Sequence, residues 1–358
     1  MMKKLLATSA LVSTLAFTNV SLAQTTITGS LDLTLRNTSN TVSGGAASET
    51  TMGRETQINI ANKGKLNNGL DYAAGFSLEF DGNNNHATGT ANSNSDSNEN
   101  VYINIISGGT TFHVGIDHIQ NSQNDLLNAV GDMVDEVGAS TVAGTLLDNV
   151  GFRSPKEDIG AGIIQNFGNG ITASALYTPN NTNVGVGNNG TSTVSNTGTN
   201  SAYEIGIRGV NVANSGISFD LWKNEIEKDV PASTRNVEGL GYALNYNQGP
   251  FGVGATRYKN ERSGSSATVN TGTATEVKTT MAHATYAVDK NLSASLVYAK
   301  SDDSQTASTA DEKIKTIMIG YNFGPVGLLV TASKIDNIGG ESAKGDVDAL
   351  GVSLNTKF

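Results

Sequence analysis

The side chains most suited to a chemical role are four acids in one segment, Asp125, Asp132, Asp135 and Glu136. They share residues 118–149 with an apolar stripe of helical spacing. Its members are Leu126, Leu127, Val130, Met133, Val134 and Val137. If the stripe packs against another surface, the carboxylates are turned together toward water, where they concentrate cations. The alternative is a surface helix whose acids are simply solvated.

Inward-facing charges are predicted from strand alternation, because successive side chains of a strand point to opposite faces. Where the apolar side chains face lipid, residues of the other parity face inward, and a charge on the lipid face at mid-depth costs about 2–4 kcal/mol. This filter selects Arg36, Glu79, Arg153 and Arg208, which would line the inner wall if the strands close into a barrel. For each arginine the alternative is a structural salt bridge with a neighbouring acid.

Catalytic and metal-binding patterns are not found in the sequence. The four His residues have no metal-ligand spacing, no Ser/His/Asp grouping can be argued, and the chain has no Cys. The glycine runs occupy turns and not the strand-to-helix context of a phosphate loop. We therefore predict no enzymatic activity and no cofactor. The Asp-rich stretch 301–304 leaves Ca²⁺ binding open as an alternative, without supporting ligand spacing.

The element that must position these residues is a β-strand, and the clearest strand is the last. Leu350, Val352, Leu354 and Phe358 share one parity, and polar or small residues occupy the other. An apolar strand ending on a bare aromatic residue would be an aggregation hazard unless its edge were paired. Pairing with the first strand, which we place over residues 26–37, would close a barrel and remove that edge.

The connections between alternating segments are long and short in turn, through to the end of the chain. This rhythm predicts sixteen strands, eight long polar loops and seven short turns, with both termini on the short-turn side. Short periplasmic turns and long extracellular loops are typical of outer-membrane barrels, and sixteen strands leave an aqueous lumen. A soluble β-sandwich is the alternative, but it would not usually run to so many strands.

The first 23 residues have the pattern of a secretory signal peptide, with a basic start, an apolar run and small residues before a cleavage site at Ala23. A retained membrane anchor is the alternative. The predicted mature chain, residues 24–358, then has 21 bases against 33 acids and a net charge of about −12. No basic patch suitable for nucleic acid is found, whereas an acidic surface suits the attraction of cations.

At this point the chain resembles the general porins of Gram-negative bacteria, of the proteobacterial sixteen-stranded type. The resemblance covers the signal peptide, the strand rhythm, the terminal Phe358 and the stretch Asn149-Val-Gly-Phe-Arg-Ser-Pro155, which is similar to the family's Asn-Ser-x-Arg-Tyr-x-Ser-Pro. Gly151 and the missing Tyr depart from that pattern. The resemblance implies a homotrimer and a third loop, here residues 118–149, folded into each lumen as a constriction in which loop acids face wall bases.

These observations together predict a water-filled outer-membrane channel for passive diffusion of small hydrophilic solutes and ions, with a weak cation preference. Its partners would be two further copies of the chain, outer-membrane lipid and lipopolysaccharide. The alternatives are a substrate-selective channel on the same scaffold and a barrel that anchors surface loops as an adhesin or phage receptor. The few inward aromatic residues, with Trp222 as the only Trp, favour the first reading.

Overall fold

The computed structural model describes residues 24–40, 49–83, 95–115, 159–179, 201–226, 237–262, 275–304, 310–340, 342 and 345–358. These residues form sixteen strands. The strands are β1 Gln24–Asn40, β2 Glu49–Lys65, β3 Asp71–Asn83, β4 Ser95–Ser107, β5 Thr110–Gly115, β6 Gly160–Gly168, β7 Ile171–Thr178, β8 Ala202–Gly209, β9 Ile217–Ile226, β10 Val237–Gln248, β11 Phe251–Arg262, β12 Thr275–Ala287, β13 Leu292–Asp303, β14 Glu312–Asn322, β15 Val326–Asp336 and β16 Val347–Lys357.

Each strand pairs antiparallel with its neighbour in the chain, and β1 pairs with β16, so the sheet is a closed barrel. The prediction of sixteen strands is confirmed. Seven connections are tight turns and eight are longer, in strict alternation. Closure satisfies every edge, which an open sheet of this length could not do. Among the described residues, no helix is long and apolar enough to cross a membrane.

The two faces of the barrel follow the alternation of the sequence. On β16, Leu350 and Leu354 are exposed on the outer face, whereas Val347, Ala349 and Ser353 are buried on the inner face. The same alternation gives the outer face an apolar surface on all sides of the barrel. Exposed apolar surface on this scale is stable only against lipid, because a soluble monomer rarely exposes so much.

Aromatic side chains mark the short-turn end of this outer surface. Tyr246, Tyr286 and Tyr321 are exposed there, and two rings of this group pack in pairs with Phe251 and Phe323 at centroid distances of 4.8 and 4.6 Å. Tyrosine rings are amphipathic and sit well at the boundary between lipid tails and water. These rings therefore indicate where the apolar band ends on that side.

The seam between β1 and β16 is completed by the last residue. The Phe358 backbone N–H donates to the Gly29 carbonyl at 2.9 Å, and the Gly29 N–H donates to the Phe358 carbonyl at 2.8 Å. The phenyl ring covers Gly29, since a β-carbon added there would lie 2.5 Å from Phe358 Cζ. Glycine is therefore required at this position by a close approach rather than by its backbone angle.

Candidate functional site: the inner face of the barrel

Three of the four predicted wall residues lie on described strands, and all three point inward. Arg36 is buried on β1, opposite Gly351 of β16. Glu79 on β3 accepts a hydrogen bond of 3.0 Å from the Gln57 side-chain amide of β2. The parity filter therefore selects inward positions without knowledge of the pairing partners.

Arg208 shows that an inward arginine also has a structural role. Its Nε lies 3.9 Å from Oδ2 of Asp220, which is directly opposite on β9 and almost fully buried. The aspartate would be costly to bury alone, so the guanidinium beside it helps to hold it in the wall. The charge that Arg208 presents to the lumen is correspondingly reduced.

The predicted loop acids and one predicted wall base fall outside the described residues. They are Asp125, Asp132, Asp135, Glu136 and Arg153. The described residues end at Gly115, the last residue of β5, and resume at Ile159, directly before Gly160 of β6. Gly115 and Gly160 pair directly across these neighbouring strands. The segment that carries the four acids is therefore attached at both of its ends to the same end of the barrel.

Carboxylates outnumber bases on the described inner wall above the short-turn end. Among the side chains that the structure describes there, the wall carries two arginines, Arg36 and Arg208, and seven acids. The acids are Asp32, Glu55, Glu79, Glu204, Asp220, Asp303 and Glu312. Sequence reasoning did not select Glu55, Asp220, Asp303 or Glu312. Asp303 and Glu312 were assigned to a loop, and the alternation of the second strand and of the segment that holds Asp220 was not followed to Glu55 and Asp220.

Hydroxyl groups form cross-strand pairs on the same inner wall. Thr34 and Ser353 are 2.7 Å apart, Thr279 and Ser301 are 2.8 Å apart, and Thr316 and Ser333 are 2.6 Å apart, all buried. Each pair joins two neighbouring strands and satisfies its own polar atoms, as buried polar groups must. A polar wall of this kind suits contact with water and hydrophilic solutes.

A buried apolar patch interrupts the polar wall on β12 to β16. We call it the inner apolar patch. It consists of Met281, Val297, Ala299, Ile314, Met318, Ile335, Val347 and Ala349, together with Ile338 of the following turn. Apolar side chains facing an aqueous lumen would be unfavourable if left in water. Their burial, between 0 and 7 % exposed, means that this part of the inner wall is packed rather than wetted.

Trp222 belongs to a second buried inner cluster, with Ala243, Tyr258 and Val277 on β10 to β12. Its indole covers Gly241 on the neighbouring strand, where any β-carbon would collide with the ring. The single tryptophan is therefore part of the wall and does not project as a solute-binding platform. The sequence identifies Trp222 as the only Trp of the chain, but this packing depends on the register between β9 and β10.

Within the described ranges, no group of three or more His, Asp or Glu side chains is placed to hold a metal ion. His113, on the inner face of β5, donates from Nδ1 to the Asn104 side-chain oxygen at 2.8 Å, an ordinary buried pair. The inner wall thus offers hydroxyls, amides and carboxylates around a lumen.

Comparison with solved structures supports the fold. An anion-selective porin from Comamonas acidovorans matches with a TM-score of 0.66 and 13% identity, over 94% of this chain and 100% of that chain. OmpF of Salmonella typhi, in complex with daunomycin, matches with a TM-score of 0.65 and 13% identity, over 93% and 97%. OmpT of Vibrio cholerae, in its trimer form, has a TM-score of 0.57 and 12% identity, over 94% and 99%.

At the level of sequence, no curated protein matches the chain. The family model that matches describes a Gram-negative porin and aligns with residues 7–350, which is nearly the whole chain. That match agrees with the closed sixteen-stranded barrel and with its apolar outer and polar inner faces. The chain belongs to the Gram-negative porin family.

Proposed function

We propose that this porin prefers small cations among the hydrophilic solutes that cross it. Membership in the family makes the protein an integral outer-membrane channel for passive diffusion, and porins of this kind are not enzymes. Whether cations or anions are preferred depends on this chain's own side chains, because the structural neighbours share only the fold with it. One of them is named an anion-selective porin.

The observation that carries the proposal is the excess of carboxylates over arginines on the described inner wall. A lumen lined by one sign of charge and enclosed by a wall of low dielectric raises the local concentration of ions of the opposite sign. Rings of carboxylates act in this way in cation channels. Glu55 and Glu79 contribute most directly, because both are only partly buried and lie on neighbouring strands.

We further propose that residues 118–149 fold into the lumen and narrow it, with Asp125, Asp132, Asp135 and Glu136 turned toward the passage. In this arrangement Arg36, Glu79, Arg153 and Arg208 lie on the facing wall. The inner apolar patch supports the proposal, since it offers a packed surface on which the apolar stripe of this segment would be buried. Loops of this length inside a compact domain are usually functional.

The porin is proposed to work as a homotrimer. The described outward side chains of β1, β3, β5, β6 and β7 carry no charge, whereas β9 and β11 to β15 carry outward lysines near their loop ends. Arg54 of β2 is the one described outward cation between these strands, and a face with so few charges is suited to a permanent interface. The charged half of the barrel would then remain in contact with lipid.

The test is the reversal potential of the mature protein in a planar bilayer under a KCl gradient. We expect a reversal potential on the cation side, with openings in groups of three. The triple variant Asp132→Asn/Asp135→Asn/Glu136→Gln should reduce the cation preference and leave the protein folded. A reversal potential on the anion side would refute the proposal, and unchanged selectivity in the triple variant would refute the assignment of the loop acids.

A further inference from the structure

A glycine on β11 leaves a gap in the inner wall between two polar side chains. Gly254 lies directly opposite Asn245 of β10 and directly opposite His283 of β12. A β-carbon at Gly254 would collide with Asn245 Oδ1 and would lie 2.8 Å from His283 Nε2. The amide oxygen and the imidazole therefore approach each other above the backbone, in space that only glycine leaves open.

The same arrangement is repeated one step closer to the short-turn end. A β-carbon at Gly252 would collide with Asn247 Oδ1 of β10 and would lie 2.5 Å from Thr285 Oγ1 of β12. The two glycines are two residues apart on one face of β11, so the two gaps lie roughly 7 Å apart. We call both gaps together the glycine cleft. Its lining side chains are Asn245, Asn247, His283 and Thr285, with Thr256 as the next inward residue of β11.

Three polar atoms around the glycine cleft have no hydrogen-bond partner in the described part of the chain. They are Asn245 Oδ1, Thr256 Oγ1 and His283 Nδ1. Asn245 is 7% exposed and Thr256 is 2% exposed. Buried polar atoms of this kind are normally hydrogen-bonded, and leaving them without a bond is unfavourable. A group that both donates and accepts would therefore be stabilised in the cleft.

The glycine cleft is accessible from the lumen. Asn247 is exposed, and Gly254, His283 and Thr285 are half-buried. Toward the loop end the wall of the same strands is packed, since the next inward residue of β12, Met281, is almost fully buried. A solute in the passage would therefore reach the cleft from the short-turn side.

The chemistry of the lining favours an uncharged ligand with several hydroxyl groups. Amide, hydroxyl and neutral imidazole groups each offer a donor and an acceptor, and so does a solute hydroxyl. The described inward neighbours in the two rows of the cleft are uncharged: Ser218, Ser295 and Val297. Asp220 lies one row further toward the loops, beside Arg208. The two rows themselves therefore offer no formal charge to hold an ion.

We propose that the glycine cleft binds a neutral monosaccharide as the sugar crosses the channel. Asn245 and Thr256 bind one hydroxyl group of the sugar ring. Asn247 and Thr285 bind another, roughly one strand step away. Such a site is weak, as a channel requires, because a solute that binds must also leave. The proposal does not rest on the cation preference proposed above, since no charged group takes part.

The experiment titrates D-glucose against the mature porin in a planar bilayer at constant KCl. The measured quantity is the open-channel current, corrected for the conductivity of the sugar solution. We expect a saturable decrease in current with half-saturation at millimolar glucose. A polyethylene glycol of the same hydrodynamic radius has few hydroxyl groups and should produce no saturable decrease. An equal saturable decrease with the glycol would mean that size, and not recognition of hydroxyl groups, causes the block.

Two nearly isosteric substitutions remove hydrogen-bonding atoms and keep the wall filled. Thr256→Val and Asn245→Leu should each raise the half-saturating glucose concentration roughly two- to tenfold, as expected for the loss of one hydrogen bond. Neither should lower the temperature at which the folded band is lost on a semi-native gel, because each removes a buried atom that has no partner in the described chain. The reversal potential under a KCl gradient should also stay unchanged, since no charge is altered.

A matched control lies on β15 and β16. Asn355 leans over Gly327, where a β-carbon would collide with Asn355 Oδ1 in the same way. The three nearest atoms at Gly327 all belong to Asn355, whereas at the cleft glycines two strands contribute polar side chains. The variant Asn355→Leu should therefore keep the wild-type response to glucose.

Three results would overturn the proposal. A wild-type current without a saturable response to glucose would mean that the glycine cleft holds no sugar. A wild-type response in both Thr256→Val and Asn245→Leu would place the binding elsewhere in the lumen. Equal losses in Asn355→Leu and in the two cleft variants would mean that glucose responds to a general change of the lumen and not to this site.

Discussion

At the scale of single residues, the contact between Phe358 and Gly29 joins the two ends of the barrel. The ring of the last residue lies where a side chain on β1 would otherwise stand. Two backbone hydrogen bonds between the same residues fix this position. The sequence showed that Phe358 closes an amphipathic strand. It did not show which residue of β1 the ring covers, because that depends on a register between the two ends of the chain.

The variant Gly29→Leu should therefore destabilise the barrel through a collision with the Phe358 ring. Overpacking of this kind typically costs about 1–3 kcal/mol. The measurement is the temperature at which the folded band is lost on a semi-native gel, which we expect to fall. The double variant Gly29→Leu/Phe358→Ala should recover part of that loss because the collision is removed. Equal melting of the wild type and Gly29→Leu would contradict this packing.

A second prediction at the residue scale concerns the accessible wall acids. The double variant Glu55→Gln/Glu79→Gln removes two inward charges and keeps the hydrogen-bonding capacity of the amides, including a partner for Gln57. The reversal potential under a KCl gradient should shift toward zero. The control is Asp346→Asn, on the outward rim beside Lys334, which should leave the reversal potential unchanged. A shift of the same size in the control would refute the assignment.

At the scale of elements, alternation made the strands and their faces predictable. A period of two is a local property, and turn residues separate one strand from the next. The predicted strands were nevertheless too short: the first was placed over residues 26–37, whereas β1 spans Gln24–Asn40. The reason is physical, because loop-side strand ends carry polar outward residues such as Ser39, Glu225 and Asp336 that have the composition of a loop.

The inner apolar patch on β12 to β16 could not be predicted in the same way. Its members lie on five strands, and they become neighbours only through the cross-strand register. Sequence periodicity gives the face on which a side chain lies, but the neighbours on that face depend on pairing between segments.

The inner apolar patch is proposed to hold residues 118–149, and this proposal can be tested by mutation of the patch. The variant Met281→Gln/Met318→Gln should weaken packing of residues 118–149 on the wall, widen the passage and raise single-channel conductance. The control is Leu176→Gln, an equally buried inward apolar residue on β7, outside the patch. Conductance should stay at the wild-type value in the control. Unchanged conductance in the methionine variant would argue against the patch as the seat of this segment.

At the scale of the whole molecule, the two halves of the outer surface differ in charge. On β2 the described outward side chains include the single cation Arg54, and the outward row on β3 is apolar or aromatic. By contrast, one pair of lysines with a shared acid lies on β11 and β12 and another on β14 and β15, and Lys300 of β13 pairs with Asp311. The structure therefore presents one face suited to contact with another protein surface and one face suited to contact with lipid headgroups.

This asymmetry predicts which side is buried in the proposed trimer. The chain has no cysteine, so a single introduced cysteine can be labelled without background. A fluorophore at Leu78→Cys on β3 should be shielded from quenching by brominated lipids, and one at Leu240→Cys on β10 should be quenched. Comparable quenching at the two positions would show that the β3 face is in contact with lipid.

The pairing of β1 with β16 also has a consequence for how the barrel is made. Thr34 and Ser353 share a hydrogen bond across 319 positions of the chain, so this seam has the largest sequence separation available. Contacts of such high order slow folding, and the first and last strands keep open edges until the final residues arrive. Open edges invite pairing with other chains. We therefore expect the unfolded chain to need a chaperone until the barrel closes. Loss of a few C-terminal residues should harm assembly more than loss of the same number of residues from an external loop.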